Sequence, residues 1–483
     1  MDLYFVKRSL AERYSDVLPA GPYGAVSLLD RRAIPDGTPV FLDRDMRPVE
    51  PVSSWFRHLA YQDRDPATMR SYAYVVSRLV DFLQERGTDL LSAGEADLVA
   101  YRRQRVAVQT LPVGESTWDR EASTINGLYD WLTERGYVPR RPLRLSRRFG
   151  SGMVRQLQVR HLSLEQYLYF RDVGLGGQRP DGEVSAGFRG WCPHRGRAAA
   201  ELALLTGMRK REWASVLLPE LGVGVRRGAE PARFRLEACA KYGRPRDVYI
   251  PSAALDLVDT YLLLERTEIA ERAALGLARR RRELFVVDRV DEETGKLSGV
   301  LEGRRRTFAI ARMPAGLRAV TVRESERGLE SLAVFLGQGG LMLGPSSWDR
   351  VRRDAWRRML AYSADPRTPV LPRRPWRFHD LRHTLALQLL RHLTRAAVAA
   401  EVRRADPRSM VSLGEHIAVN PLLIVQRVLG HASPRTTYAY LSYLDDPMNY
   451  VEEALRAWTD SDGATYAEIA RHLLEGDRDA QEG

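Results

Sequence analysis

Cysteine is nearly absent from this 483-residue chain, which contains only Cys192 and Cys239. Two cysteines are too few for a disulfide framework or a cysteine-based zinc site, so a reducing cytoplasm is the expected compartment. No apolar run approaches the roughly 20 residues that span a bilayer. The residues from Met1 to Phe5 are not a basic segment followed by a long apolar region. Secretion, membrane insertion and a membrane partner are therefore not expected.

The sequence also lacks a glycine-rich phosphate loop followed by Lys-Ser or Lys-Thr, so nucleotide hydrolysis is not expected. No period of about 20 to 50 residues recurs, which excludes solenoids and arrays. What the chain has in excess is positive charge, with 74 Lys and Arg residues against 62 acidic ones and a formal net charge of +12. This balance favours a polyanionic partner such as DNA, although a basic proteome would give the same excess.

Apolar periodicity predicts a small helical domain over residues 51–140. Its predicted helices run from Asp65-Pro66 to Gly87, over about Glu95 to Arg105, and from near Ser116 to Gly136. Residues 1–50 are interpreted as an N-terminal extension of uncertain order. A basic, proline-broken linker is predicted at 141–160; it suits contact with phosphates, and a solvated basic loop is the alternative.

A larger mixed domain is predicted over residues 161–450. Ser163 and Gln166 form a capping box that opens its first helix. Alternating apolar residues on both sides of the turn at 241–245 predict an antiparallel hairpin. Insertions are expected near 267–330 and 394–420, and a tail at 451–483 carries one predicted helix, Tyr466 to Leu474. The predicted fold class is mainly α with a small antiparallel β-sheet, that is, α+β.

Four ordered features occur in this larger domain. The stretch 204–212, predicted as an apolar helix broken at Thr206-Gly207 and resumed, contains Arg209 and Glu212, and His379-Asp380-Leu381-Arg382-His383 follows. Leu429-Gly430-His431 comes next, where Gly430 is predicted to end the helix that begins at Pro421 and Ser433-Pro434 to cap the following one. Tyr440 comes nine residues after His431. This order and spacing resemble the active site of the tyrosine recombinase (phage integrase) family. The resemblance covers about residues 55–450, with strong motifs only at 204–212, 379–383 and 428–440. It implies a helical core DNA-binding domain at 51–140 and a catalytic domain at 161–450.

Cutting DNA without hydrolysis needs a nucleophile that keeps the phosphate, cations around the transition state and an acid for the leaving 5′-oxygen. Tyr440 is the candidate nucleophile, and Tyr438 and Tyr443 are its neighbouring competitors. Arg209 and Arg382 are candidates for binding the phosphate oxygens, because a guanidinium offers a planar fork that stays charged. The resemblance implies that Glu212 orients Arg209.

The remaining roles fall to two histidines and a lysine. His379 is a candidate to take or orient the tyrosine proton, and His431 to donate to a phosphate oxygen; His383 is interpreted as a structural neighbour. In the family the general acid is a lysine on a hairpin turn, which Lys241 resembles, with Arg244 and Arg246 as local alternatives.

The resemblance implies strand exchange through a 3′-phosphotyrosyl intermediate and a Holliday junction. It also implies a homotetramer on two paired sites in double-stranded DNA, with accessory DNA-bending or directionality proteins as candidate partners. No cofactor and no metal are expected, because the clustered residues are cationic and lack the carboxylates that hard metals require. The alternatives are a type IB topoisomerase, which relaxes supercoils without exchanging partners, and a DNA-binding protein of the same fold that does not cleave.

Overall fold

The chain forms two compact units, Met1–Arg155 and Gln156–Gly483. The structure is a computed structural model, and it describes residues 1–13, 25–108, 112–145, 159–188, 190–222, 231–404, 420–431 and 433–441. None of the helices in these ranges is long and apolar enough to cross a membrane.

In its described residues, the first unit is a helical domain with one short sheet. Its helices are α1 (Arg8–Arg13), α2 (Ala25–Arg31), α3 (Val52–Tyr61), α4 (Pro66–Glu85), α5 (Glu95–Arg103), which continues as a π-helical turn, Gln104–Val108, and α6 (Glu115–Glu134). The start of α4 is confirmed: the Asp65 side chain accepts a hydrogen bond from the Ala67 N–H, and Pro66 occupies the first turn, where no N–H is needed.

Residues before α3 and after α6 also belong to this unit. Strands β1 (Asp2–Phe5) and β2 (Pro39–Leu42) pair in antiparallel fashion, and Phe41 is fully buried among the residues of α3 and α4. At the other end, Leu145 is buried in the same core, and the Asn126 side chain bonds to its backbone N–H and carbonyl. Apolar residues thus anchor the start of the predicted linker, and residues 146–158 lie outside the described residues.

The second unit has ten described helices and seven described strands. The helices are α7 (Leu164–Tyr169), α8 (Pro193–Thr206), α9 (Lys210–Trp213), α10 (Ser252–Tyr261), α11 (Thr267–Arg279), α12 (Ala315–Ala319), α13 (Pro345–Ala361), α14 (Phe378–Arg404), α15 (Pro421–Leu429) and α16 (Pro434–Tyr438). The strands are β3 (Ala232–Leu236), β4 (Arg246–Ile250), β5 (Phe285–Asp291), β6 (Lys296–Leu301), β7 (Arg304–Ala309), β8 (Thr321–Ser325) and β9 (Gly328–Ser331). The capping box of Ser163 and Gln166 at the start of α7 is confirmed.

The described strands of this unit form two sheets. Strands β3 and β4 form the predicted antiparallel hairpin, with Ala232 opposite Ile250 and Leu236 opposite Arg246. The second sheet has five strands in the order β7-β6-β5-β8-β9, and its β5–β8 pair is parallel. Alternation of apolar and polar residues is weak in this region, because the first four residues of β7 are exposed and largely arginine. The α+β class is confirmed, with more sheet than expected.

An aromatic core fixes the helices that carry the motifs. Trp213, at the end of α9, has its ring centroid 4.8 Å from that of Trp348 and 5.0 Å from that of Phe378. Phe378 is the first residue of α14 and immediately precedes His379. Since Trp213 and Phe378 are both buried, packing of these rings sets α9 against α14 and brings the arginine of one motif to the histidines of the other.

Two sequence predictions fall partly or wholly outside the described residues. The insertion near 394–420 begins inside α14, which extends to Arg404, and residues 405–419 are not described. The tail at 451–483, with the predicted helix from Tyr466 to Leu474, is not described either.

Candidate active site

Arg209 lies at a sharp break between two helices. Helix α8 ends at Thr206, Gly207 adopts φ +60°, and α9 begins directly after Arg209. A Cβ atom at Gly207 would lie 2.8 Å from a methyl carbon of Leu385 and of Leu429. Only glycine combines this left-handed backbone with so close an approach. The break predicted at Thr-Gly is therefore confirmed, and it turns Arg209 out of the helix.

Glu212 orients Arg209, as the resemblance implied. Its carboxylate accepts a bond from the Arg209 backbone N–H at 2.7 Å and one from the Arg209 Nη1 at 3.0 Å. The same carboxylate accepts two bonds from the buried Arg246 of β4. Burial alone would raise the pKa of Glu212, but the bonds and charges of Arg246 and Arg209 outweigh it and hold that pKa below its ordinary value. Glu212 is therefore ionised at neutral pH.

Arg382 is almost fully buried, with 2% of its surface exposed. Its Nη1 donates to the Gly207 carbonyl and its Nη2 to the Leu429 carbonyl. No carboxylate among the described residues hydrogen-bonds to it. Burial, followed by the charge of Arg209, lowers the pKa of Arg382 to about 9. A buried guanidinium held by carbonyls but lacking a paired anion is suited to bind one.

Tyr440 is buried beside His383, with 1% of its surface exposed. Its hydroxyl lies 2.8 Å from His383 Nδ1, across 57 positions of sequence. Burial raises the pKa of Tyr440 to about 12, although Arg382 and Arg209 act in the opposite direction. Burial, with His379 and Arg382 next, lowers the pKa of His383 to about 3. At neutral pH the phenol is therefore protonated and the imidazole neutral, and the phenol donates to Nδ1 in the tautomer that carries the ring proton on Nε2.

His379 lies one helical turn before His383 and does not hold the Tyr440 hydroxyl. Its ring centroid is 4.7 Å from that of His383. The residue is exposed to solvent, yet desolvation of the ring by surrounding protein, followed by the charges of Arg382 and Arg209, lowers its pKa to about 4. The contact with the tyrosine, which the sequence suggested for His379, belongs in this structure to His383. Since the two are four residues apart on one helix, they share a face, and that spacing is a signal from which His383 could have been found.

His431 is fixed at the junction of α15 and α16. Gly430 ends α15 with φ +61°, as predicted, and Ser433 caps α16. The His431 Nδ1 lies 2.9 Å from the hydroxyl of Thr437, which is itself buried. Burial, Arg382 and Arg209 lower the pKa of His431 to about 3. With Nδ1 engaged by Thr437, the neutral ring can present Nε2 as a donor.

Lys241 occupies the turn between β3 and β4. It begins a short 3₁₀ segment, Lys241–Gly243, and is exposed. It is close enough to His379 for its charge to lower the pKa of that histidine. Arg244, a local alternative, is exposed on the same turn, whereas Arg246 is buried against Glu212.

Of the competing tyrosines, Tyr438 is 54% exposed, and Tyr443 lies outside the described residues. In the described part of the chain no group of three or more His, Cys, Asp or Glu side chains could hold a metal ion. Among the described residues, the charges gathered here are those of Arg209, Arg246 and Arg382 around the carboxylate of Glu212. The arrangement offers a phenol, a proton acceptor and an excess of guanidinium groups, which together suit reaction with a phosphate diester.

Residues 52–136 match the family model described as phage integrase, N-terminal SAM-like domain. No curated protein matches the chain. Among solved structures, it resembles a pre-cleavage complex of the XerH site-specific recombinase with its difH substrate, at 15% identity and a TM-score of 0.44, covering 85% of this chain and 86% of that one.

A second solved structure is the Tn1549 transposon integrase in complex with a circular intermediate DNA. Its identity is 11% and its TM-score 0.40, with 84% of this chain and 99% of that chain covered. The XerA recombinase gives 12% identity and a TM-score of 0.29. Scores this low carry no functional conclusion, which has to come from the chemistry of the site.

Proposed function

We propose that this chain is a site-specific DNA recombinase that cuts and rejoins DNA strands through a 3′-phosphotyrosyl intermediate. The observation that carries the proposal is the buried bond between the Tyr440 hydroxyl and His383, next to Arg382 and Arg209. A phenol beside a neutral base and two guanidinium groups has the proton acceptor and the cations that attack on a phosphate needs. The match of residues 52–136 to an integrase domain supports the same function.

In the proposed reaction the Tyr440 oxygen attacks the scissile phosphorus, and the bond from phosphorus to the 5′-oxygen breaks. His383 Nδ1, 2.8 Å from the hydroxyl, receives the phenol proton in the tautomer that carries the ring proton on Nε2. Lys241 gives a proton to the leaving 5′-oxygen. The 5′-hydroxyl of the partner strand then attacks the phosphotyrosine and restores Tyr440, so the bond energy is conserved without a cofactor.

The two arginines would stabilise the charge of the pentavalent transition state. Arg382 is preorganised, because its bonds to the Gly207 and Leu429 carbonyls fix the guanidinium plane and leave further N–H donors on it. Arg209 is oriented by Glu212. His431, fixed through Thr437, would donate from Nε2 to a non-bridging oxygen. The resulting cluster binds the substrate through charge-assisted hydrogen bonds.

Because only 1% of Tyr440 is exposed, a phosphate cannot reach its hydroxyl in this conformation. In the proposed reaction this conformation is a resting state, and Tyr440 becomes accessible when DNA binds. Burial is the main cause of the low pKa of His383, and nearby positive charge adds to it. The incoming phosphate would offset that charge and make the histidine a better proton acceptor at the moment of attack.

The proposed partner is double-stranded DNA, bound by both units, with a homotetramer on two paired sites and accessory DNA-bending proteins as its wider assembly. The formal charge of +12 is consistent with binding that weakens steeply as salt rises, since phosphate contacts release counterions. An affinity that does not respond to salt would contradict DNA binding of this kind.

The test is a denaturing gel for covalent protein–DNA adducts in chelator, using duplex DNA that flanks the gene. Wild type is compared with Tyr440→Phe, and with Tyr438→Phe as the matched control on the adjacent exposed tyrosine. We expect an adduct for wild type and Tyr438→Phe and none for Tyr440→Phe. An adduct that persists in Tyr440→Phe would sink the assignment. Relaxed supercoils without recombinant products would instead indicate a type IB topoisomerase, and tight binding without adduct a non-cleaving protein.

A further inference from the structure

Arg246 lies on β4, directly after the hairpin turn of Lys241, and only 8% of its side chain is exposed. Its Nη1 donates to Glu212 Oε1 at 3.1 Å, and its Nη2 donates to Glu212 Oε2. Its Nε is buried without a hydrogen-bond partner among the described residues. A buried arginine with an unsatisfied donor is a poor choice for stability alone, so a role in the chemistry has to be considered.

Arg246 and Arg209 share the same two carboxylate oxygens. Glu212 Oε1 accepts from Arg209 Nη1 at 3.0 Å and from Arg246 Nη1 at 3.1 Å. Glu212 Oε2 accepts from the Arg209 backbone N–H at 2.7 Å and from Arg246 Nη2. A carboxylate and a guanidinium alone prefer a two-bond fork. Here only one Arg209 side-chain bond to Glu212 is formed, because Arg246 occupies the remaining acceptor positions.

The same side chain also reaches the third motif. A Cβ atom at Gly430 would lie 2.9 Å from Arg246 Cδ and 3.2 Å from its Nη1. Gly430 immediately precedes His431, and its carbonyl is 3.5 Å from Arg209 Nη2. Arg246 therefore touches the elements that carry Arg209, Glu212 and His431, and no substrate-facing role is needed to explain its contacts.

We infer that Arg246 is a positioning residue for strand cleavage. It occupies acceptor positions on both oxygens of the Glu212 carboxylate, so that Arg209 keeps guanidinium donors for the scissile phosphate. This inference rests on the proposed function of the site. Without Arg246, Glu212 would take both Nη groups of Arg209 in a fork and draw them away from the substrate. A displacement of about 1 Å at a catalytic group lowers a rate by about 100-fold, so the effect is measurable.

The experiment is a single-turnover cleavage assay on a nicked duplex. Cleavage near the nick releases a short fragment with the 5′-hydroxyl, so religation is prevented and the covalent product accumulates even at low rates. Arg246→Gln and Arg246→Lys are made in wild type and in the Arg209→Lys background, which keeps the charge but loses the fork. We expect Arg246→Gln to slow cleavage about 10- to 100-fold in wild type. In the Arg209→Lys background it should slow cleavage less than about threefold, because contacting residues are not additive. Arg246→Lys should retain an intermediate rate.

The matched control is Arg235→Gln, which removes an exposed arginine that pairs with Asp247 on the same hairpin; its rate should equal that of wild type. Equal slowing by Arg246→Gln in both backgrounds would mean that Arg246 acts independently of Arg209, and the inference would be wrong. A wild-type rate in Arg246→Gln would also overturn it. Melting temperatures identify a variant that fails to fold; Arg246→Lys, which keeps the charge opposite Glu212, then carries the comparison. If wild type itself forms no adduct through Tyr440, it is the proposed function that has failed.

Discussion

Two buried arginines of the second unit are held in opposite ways. Arg318 of α12 is 1% exposed; it makes a two-bond fork with Glu220 and further bonds to the carbonyls of Ser215, Ile310 and Met313. Arg382 is 2% exposed and bonds to two carbonyls, with no carboxylate partner among the described residues. Burial would lower the pKa of both, but Glu220 raises that of Arg318, while Arg382 falls to about 9.

The difference separates a structural charge from a functional one. Around Arg318 the charge is balanced and its donors are engaged, so the group is complete without a ligand. Around Arg382 the positive charge is in excess, because Arg209 and Arg246 already share Glu212. A buried charge without its counter-ion is costly, and the counter-ion that suits a guanidinium is a carboxylate or a phosphate. The contrast therefore predicts that mutation of Arg318 mainly lowers stability, whereas mutation of Arg382 mainly lowers the rate of strand cleavage.

The largest effect is expected at Arg318. Arg318→Leu would leave the Glu220 carboxylate buried without its partner, which should lower the free energy of unfolding by about 3–5 kcal/mol in urea titrations. Arg323→Leu is the control, since its ion pair with Glu330 is long and partly exposed and should contribute less than about 1 kcal/mol. A loss below that level for Arg318→Leu would show that its region is not held by the ion pair.

At Arg382 the loss should appear in rate rather than in stability. Arg382→Gln removes a transition-state donor and should slow strand cleavage by about 100- to 1000-fold, or roughly 3–4 kcal/mol. Its free energy of unfolding should fall by less than that of Arg318→Leu, because an unbalanced buried charge is removed together with its bonds. Rates come from the nicked-duplex assay and stabilities from urea unfolding. Unchanged cleavage would remove Arg382 from the site.

The histidines add a dependence on pH. The pKa of His383 is lowered from 6.5 to about 3. Between these two pH values the imidazole is neutral in the folded protein, whereas it binds a proton in the unfolded chain. The contribution of neutral His383 to the free energy of unfolding is fully present above pH 6.5 and is lost as the pH falls towards 3. At pH 5 the loss should be about 2 kcal/mol. In a plot of the free energy of unfolding against pH, His383→Asn should have a shallower slope than wild type below pH 6.5. Above pH 7 the two curves should run parallel. Identical slopes would contradict the buried neutral state.

The smallest effect concerns binding of a simple anion. Inorganic phosphate should raise the melting temperature of wild type beyond sodium chloride of equal ionic strength, by an amount equivalent to about 1 kcal/mol when it exceeds its dissociation constant several-fold. Arg382→Gln should lose most of that increment, whereas Arg318→Leu should keep it. Equal increments in wild type and Arg382→Gln would mean that phosphate acts through general salt effects and not at the site.

Local signals predicted the parts of the site that depend on short stretches of chain. The Thr-Gly break before Arg209, the glycine end of α15 and the Ser433 cap all follow from backbone geometry and capping. The five-stranded sheet was missed, because exposed arginines on β7 hide the alternation on which a strand prediction depends. His383 was interpreted as a structural neighbour although its spacing from His379 placed both on one face.

The sequence by itself determined which residue types are available, their order along the chain and the caps that begin and end their helices. Tertiary structure decided that His383 meets Tyr440, that Arg382 bonds to a carbonyl 175 positions away at Gly207, and that Arg246 shares Glu212 with Arg209. These contacts depend on aromatic packing between α9 and α14. Periodicity and spacing report only neighbours within a few residues, whereas charge balance at a site is set by groups that folding brings together.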